Sequence, residues 1–127
     1  NNGDELKKLH FPPAKRRLIA LSPNGKQALI SQDDEVQVWD LVTGKAIREL
    51  TGHAANVTDV AYGPDGTWAI SASNDRTLRI WDPANGTELA KLDGHSDDIT
   101  CVAVAAQSRL IFSASRDRTL RAWTWSK

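Results

Sequence analysis

The chain predicts an all-β fold made of stacked repeats, and three observations carry that prediction. One segment is written twice, 42 residues apart. Gly52-His53, Ser71-Ala72-Ser73, Asp75-Arg76-Thr77 and Trp81-Asp82 recur as Gly94-His95, Ser113-Ala114-Ser115, Asp117-Arg118-Thr119 and Trp123, and a worn third copy ends at Trp39-Asp40. A unit of this length cannot bury its apolar faces alone and must stack on neighbours. Next, the turn pairs Asn24-Gly25, Asp65-Gly66 and Asn85-Gly86 punctuate short runs rich in Val, Ile, Leu and Trp, the pattern of short strands joined by tight turns. Last, no stretch sustains a helical period.

The elements follow in order, with a to d naming the strand positions within a repeat. Gly3-Asp4-Glu5-Leu6-Lys7-Lys8-Leu9 matches Gly86-Thr87-Glu88-Leu89-Ala90-Lys91-Leu92, so a d-type strand is expected near Glu5–Leu9. The first repeat places strands near Leu18–Leu21, Gln27–Ser31, Val36–Trp39 and Ala46–Leu50, one residue shorter between b and c than the others. The second places them near Val57–Tyr62, Trp68–Ser73, Thr77–Trp81 and Glu88–Leu92. The third has a, b and c near Ile99–Val104, Leu110–Ser115 and Leu120–Trp123. The repeats span about 14–51, 52–93 and 94–125.

Composition narrows the function. The 127 residues carry 16 basic and 16 acidic side chains. A zero balance gives no long-range pull toward nucleic acid or an anionic membrane, and neither partner is expected. No apolar run has the length of a membrane span. The single cysteine, Cys101, forbids an intrachain disulfide and fits a reducing compartment, so the expected location is cytoplasmic. Cys101 reads as a small core residue within strand a. The chain has no Met and reads as processed or as a piece of something longer.

Gly-His, Ser-x-Ser, Asp-x-Thr and Trp-Asp at this spacing resemble the WD-repeat β-propeller family. The resemblance covers nearly the whole chain. Departures are local: Phe11-Pro12 stands where Gly-His belongs, Thr124 follows Trp123, and Ala105-Ala106-Gln107-Ser108 replaces the usual a–b turn. The resemblance implies four-stranded antiparallel blades. It also implies a hydrogen-bonded lock among Trp81, Ser71, His53 and Asp75, repeated by Trp123, Ser113, His95 and Asp117, with the first blade lacking it. Physical logic agrees: a buried indole N–H, hydroxyl and carboxylate each need partners. The Asp beside each His favours partial protonation of the imidazole.

Ser, His and Asp together also invite a hydrolase reading. A catalytic site has no reason to recur in successive repeats, and neither Ser71 nor Ser113 sits in a Gly-x-Ser-x-Gly elbow. The three His lie about forty residues apart and Cys101 has no partner at ligand spacing, so no metal and no cofactor is expected. Trp68 and Trp125 read as blade packing, and the sequons at Asn56 and Asn85 as incidental.

The expected function is a non-catalytic scaffold presenting a loop rim to a protein or peptide. The family places binding residues just after Gly-His and around the b–c turn. Here these are Ala54, Asn56, Asn74 and Arg76, then Ser96, Asp98, Arg116 and Arg118, with Pro13, Lys15, Gln32 and Asp34 in the first blade. The basic groups at Lys7-Lys8, Lys15-Arg16-Arg17 and in the b–c turns read as solvated loops or, more sharply, as a patch for an acidic peptide or phosphate. Closed propellers carry about four to eight blades. Three blade equivalents therefore predict a homodimer with six blades, in which Glu5–Leu9 of one copy pairs with Leu120–Trp123 of the other. The alternatives are a purely architectural assembly module and the C-terminal propeller fragment of a larger regulatory protein.

Overall fold

Eleven strands and no helix make up the computed structural model, which describes residues 3–5, 8–11 and 13–126. The first sheet contains β1 (Arg17–Leu21), β2 (Gln27–Gln32), β3 (Glu35–Asp40) and β4 (Lys45–Leu50). The second contains β5 (Val57–Tyr62), β6 (Ala69–Ser73), β7 (Leu78–Asp82) and β8 (Thr87–Leu92). The third contains β9 (Ile99–Val104), β10 (Leu110–Ser115) and β11 (Leu120–Thr124). Every neighbouring pair is antiparallel and consecutive in sequence. The a, b, c, d order is therefore the strand order of each sheet.

The alternating apolar residues of these strands need cover on both faces, and stacking supplies it. One core lies between the first two sheets, where Leu29, Val38 and Leu50 meet Val57, Val60 and Trp81. A second lies between the next two, where Ile70, Leu78 and Ile80 meet Ile99, Val102 and Ile111. The middle sheet is thus covered twice, and all five residues of β6 are buried. The inner strands are stitched directly: the Thr58 hydroxyl donates to the Ile99 carbonyl at 2.6 Å, and the Val102 N–H donates to the Asp59 carboxylate at 2.9 Å.

The outward faces of the end sheets stay open. Ile19 and Leu21 on β1 are 64% and 60% exposed, and Leu120 on β11 is 69% exposed, whereas its repeat equivalent Leu78 is fully buried. Cys101 is exposed, which corrects its reading as a core residue. It sits on the face of β9 turned away from the middle sheet, and a strand pattern alone does not say which face a neighbour covers. The d-type strand expected at 5–9 is not formed by the described residues of that stretch, of which Leu6 and Lys7 lie outside the description.

Two local features position the loops. Gly63 has no room for a side chain: an added Cβ would lie 2.3 Å from the Trp68 ring. This lets the ring lie flat on the a–b turn, and Trp68 is buried there. In the first sheet, Gln32 pairs directly with Glu35 around Asp33-Asp34. This is the one-residue shortening expected between b and c.

Candidate functional site: blade locks and the loop rim

The second and third sheets each contain one chain of hydrogen bonds. The Trp81 indole N–H donates to Ser71 Oγ at 2.9 Å. Ser71 Oγ lies 2.6 Å from His53 Nε2, and His53 Nδ1 lies 2.8 Å from Asp75 Oδ2. The third sheet repeats this with Trp123 to Ser113 at 2.8 Å, Ser113 to His95 at 2.7 Å and His95 to Asp117 at 2.7 Å. The ionised Asp75 can only accept, so Nδ1 carries the proton; in the neutral imidazole Nε2 is then the acceptor, and the Ser71 hydroxyl donates to it while accepting from the indole. Burial lowers the His53 pKa and outweighs the raising effect of Asp75. The expected partial protonation of this His is corrected accordingly.

The carboxylate ends each chain and gathers the loops. Asp75 also accepts from the Ala54 N–H at 3.1 Å, the Thr77 N–H at 2.9 Å and the Thr77 hydroxyl at 2.6 Å. Burial pushes its carboxyl pKa up, but the bonds from Thr77, His53 and Ala54 prevail and hold it at about 2. Asp117 receives the matching bonds from Ser96 and Thr119. Burial again pushes up, and the donors led by Thr119 and His95 again prevail, so its carboxyl is held well below the usual range. Both serines are 1% exposed and each is committed to an indole, so neither can approach a substrate carbonyl. The Ser-His-Asp arrangement is a structural clasp, not a nucleophile and its base.

The first sheet differs. Trp39 donates its indole N–H to Gln37 at 3.0 Å, and Phe11 packs edge-on against the Trp39 ring with centroids 4.7 Å apart. A side chain two residues away and an aromatic contact thus replace the lock. Pro12, at the His position, lies outside the described residues.

The clasps hold a row of loops at one end of the sheets. The Val57 N–H donates to the Asp33 carbonyl at 2.7 Å, Asn74 N–H to Asn56 at 2.9 Å and Arg116 N–H to Asp98 at 2.9 Å. The segment before each strand a is thereby tied to a b–c turn. Ala54, Asn56, Arg76, Ser96, Arg116 and Arg118 are exposed on this rim, with Asn74 and Asp98 half-buried between them. In the first blade Pro13, Lys15 and Asp34 border a shallow depression with Asp33, Ala14 and Asn56. Gln32 is occupied by the Arg17 guanidinium at 2.7 Å. Arg76 and Arg118 have left-handed backbones, with φ of 74° and 71°, a conformation that costs a non-glycine residue about 1–2 kcal/mol. Neither guanidinium has an ion-pair partner among the described residues.

Arg16, Thr58 and Thr100 were outside the expected rim, yet they converge with Asn74 and Arg116 at the head of the inner strands. Arg16 and Arg116 lie a hundred residues apart in sequence, and only the stacking of three sheets brings them together. Among the described residues no group of three or more His, Cys, Asp or Glu could hold a metal ion.

Comparison with known proteins agrees with this geometry. The family model described as "WD domain, G-beta repeat" (WD40) matches residues 44–82 and 86–124, together more than half of the chain. Each matched segment runs from a c–d turn glycine to the residue after the lock tryptophan, which is the d-a-b-c unit of the sheets. Human WD repeat-containing protein 36 is 40% identical over 52 residues, covering 41% of this chain and 6% of that protein. The guanine nucleotide-binding protein subunit beta of Schizosaccharomyces pombe is 35% identical over 57 residues, 45% of this chain and 19% of the relative. The human U5 small nuclear ribonucleoprotein 40 kDa protein is 43% identical over 56 residues, 43% of this chain and 16% of the relative. The chain spans less than a fifth of the length of each of these relatives. With two matched repeats, stacked antiparallel sheets and duplicated Trp-Ser-His-Asp clasps, the chain belongs to the WD40 repeat family.

Proposed function

We propose that the chain is a non-catalytic interaction scaffold that presents its loop rim to a protein or peptide partner. The carrying observation is the pair Arg76 and Arg118. Both are exposed, both keep a strained left-handed backbone, and both lack ion-pair partners among the described residues. Each backbone N–H closes its b–c turn, Arg76 onto Ser73 and Arg118 onto Ser115, both at 3.2 Å, but a strained residue whose charged side chain makes no ion pair for the fold suggests use by a partner. Two similar proteins are named as a subunit and as a ribonucleoprotein component, which fits a role in assemblies. The test is affinity capture of a partner by the whole chain and by its R76E/R118E variant. The reading expects binding to weaken at least about tenfold while the melting temperature is nearly unchanged. Unaltered affinity would move the site to another face.

A second proposal concerns assembly, and Arg121 favours it. Its repeat equivalent, Arg79, donates to Glu88 of the adjacent strand at 2.8 Å. Arg121 has no carboxylate partner among the described residues. In the repeat match Glu5 takes the place of Glu88 and Leu9 that of Leu92. Gly3 has φ of 70°, like the turn glycine Gly86 at 80°. Pairing the 3–9 segment of a second copy with β11 would set Glu5 beside Arg121 and Leu9 beside exposed Leu120. In a solution of the 127-residue chain, this supports a two-fold dimer with six blades. Sedimentation across micromolar concentrations tests it, with deletion of residues 1–10 expected to dissociate or unfold the dimer. A well-folded monomer that tolerates the deletion would contradict it.

A further inference from the structure

A cleft of about 260 Å³ lies between the second and third sheets, at the end opposite the rim. The a–b turns of the two sheets bound it, with Pro64, Asp65 and Trp68 on one side and Ser108, Arg109 and Trp125 on the other. Both indoles are fixed before any ligand arrives. Trp68 lies against Gly63, where an added Cβ would be 2.3 Å from its ring. The Trp125 backbone N–H donates to the Arg109 carbonyl at 3.1 Å. Both rings also pack on the core between the two sheets.

The polar groups of the cleft are donors in excess. The Trp125 indole N–H is buried and has no acceptor among the described residues, whereas the indoles of Trp39, Trp81 and Trp123 each donate to a side chain. A buried donor without a partner calls for an explanation, and an absent ligand supplies one. Arg109 makes no side-chain hydrogen bond or ion pair among the described residues. Ser108 Oγ accepts from the Leu110 N–H at 3.4 Å, which leaves its hydroxyl proton to give. The single carboxylate of the lining, Asp65, already accepts from the Thr67 N–H at 2.9 Å and hydroxyl at 2.7 Å. It also balances the charge of Arg109.

Such a lining suits a neutral ligand that offers acceptors, brings few donors and has a compact apolar body. An ordinary extended peptide brings an N–H at every residue, and the cleft has little to accept them. Proline keeps its carbonyl and lacks the N–H. Consecutive prolines hold a preformed extended helix with free carbonyls, and their rings pack on aromatic walls. An acidic side chain would pair with Arg109 but would bring a second carboxylate to Asp65. We propose that this cleft docks a proline-rich segment of a protein partner. One peptide carbonyl accepts from the Trp125 indole N–H, another faces Arg109, and a proline ring sits between Trp68 and Trp125. The site is separate from the rim and does not depend on it.

The test is a titration of the whole chain with a capped hexaproline peptide, followed by the NMR signals of the tryptophan indole N–H groups. Parallel titrations use the capped peptide Gly-Ser-Gly-Ser-Gly-Ser and the same peptide with Glu for its central Ser. The expected result is saturable binding of hexaproline that shifts the Trp125 signal and spares those of Trp39, Trp81 and Trp123. Trp125→Phe keeps the aromatic body and removes the donor, and should weaken binding about tenfold. Arg109→Ala should weaken it at least about threefold. R76E/R118E, changed at the other end of the sheets, should bind hexaproline like the unaltered chain. Arg109 is exposed, so its variant keeps the test decisive if Trp125→Phe fails to fold.

Absence of binding, or binding indifferent to Arg109 and Trp125, overturns the proposal. Equal binding of the Gly-Ser peptide overturns its proline chemistry, and tighter binding of the Glu peptide shows an acidic ligand instead. If hexaproline fails to bind while R76E/R118E still weakens partner capture, the rim reading stands and only the proline cleft falls.

Discussion

Four donors converge on Asp75, from His53, Ala54 and the N–H and hydroxyl of Thr77, so this residue concentrates the stability of its blade. Replacing it by Ala leaves buried donors without an acceptor, and the expected loss is about 1–3 kcal/mol in denaturant melts. Asp33→Ala in the first blade should cost less, because no histidine chain ends there. Equal losses at the two positions would count against the clasp. The same residues set a pH dependence. The folded-state pKa of His53 is depressed below its ordinary 6.5, so the native state binds fewer protons than the unfolded chain. That contribution is present above about 6.5 and lost as pH falls through the folded value. Asp75, lowered from 3.8 to about 2, adds a second loss across that lower window. Denaturation midpoints measured from pH 8 to 2 should fall in these two stages, and a midpoint flat between pH 7 and 5 would contradict a neutral buried His53. Arg76 gives the opposite kind of test. Glycine adopts its left-handed backbone freely, so Arg76→Gly should raise stability by up to about 1 kcal/mol while weakening partner binding. A loss of stability would show the arginine serving the fold.

At the scale of elements, the a–b turn of the second blade depends on the close approach of Gly63 to Trp68. A Cβ placed 2.3 Å from the ring must move it, and overpacking of this kind costs about 1–3 kcal/mol. Gly63→Ala should therefore lower the melting midpoint, whereas Gly25→Ser, with nothing within 4 Å of its Cβ, should suffer only from its left-handed φ. Equal losses would show the Trp68 contact to be dispensable. Most strands were legible in the sequence within a residue, because turn pairs, alternation and the His and Asp at fixed offsets are local signals. The clasps were legible for the same reason, as both are written out twice. What was not legible depends on neighbours. The exposure of Cys101 follows from which face of β9 the middle sheet covers. The Gln37 acceptor for Trp39 replaces a histidine pattern with a side chain that has no signature. Arg16 meets Arg116 only through the stacking of all three sheets.

For the whole molecule, three sheets make an open arc with apolar residues on both ends, and the third sheet, three-stranded among the described residues, has β11 as its outer edge where the other two add β4 and β8. Such an edge is a template for a further strand, and the proposed dimer would supply one from a second copy. The arc also sets the functional geometry, since it aligns the clasped loops of successive blades into one rim and brings three inner strands to one cavity. The central claim is that this rim, held rigid by the clasps, is the partner face. Its most direct test measures, on the same preparation, the affinity for a captured partner and the melting temperature of the R76E/R118E chain. The account predicts affinity reduced at least about tenfold with the melting temperature nearly unchanged; wild-type affinity, or a loss of affinity that only tracks unfolding, would contradict it.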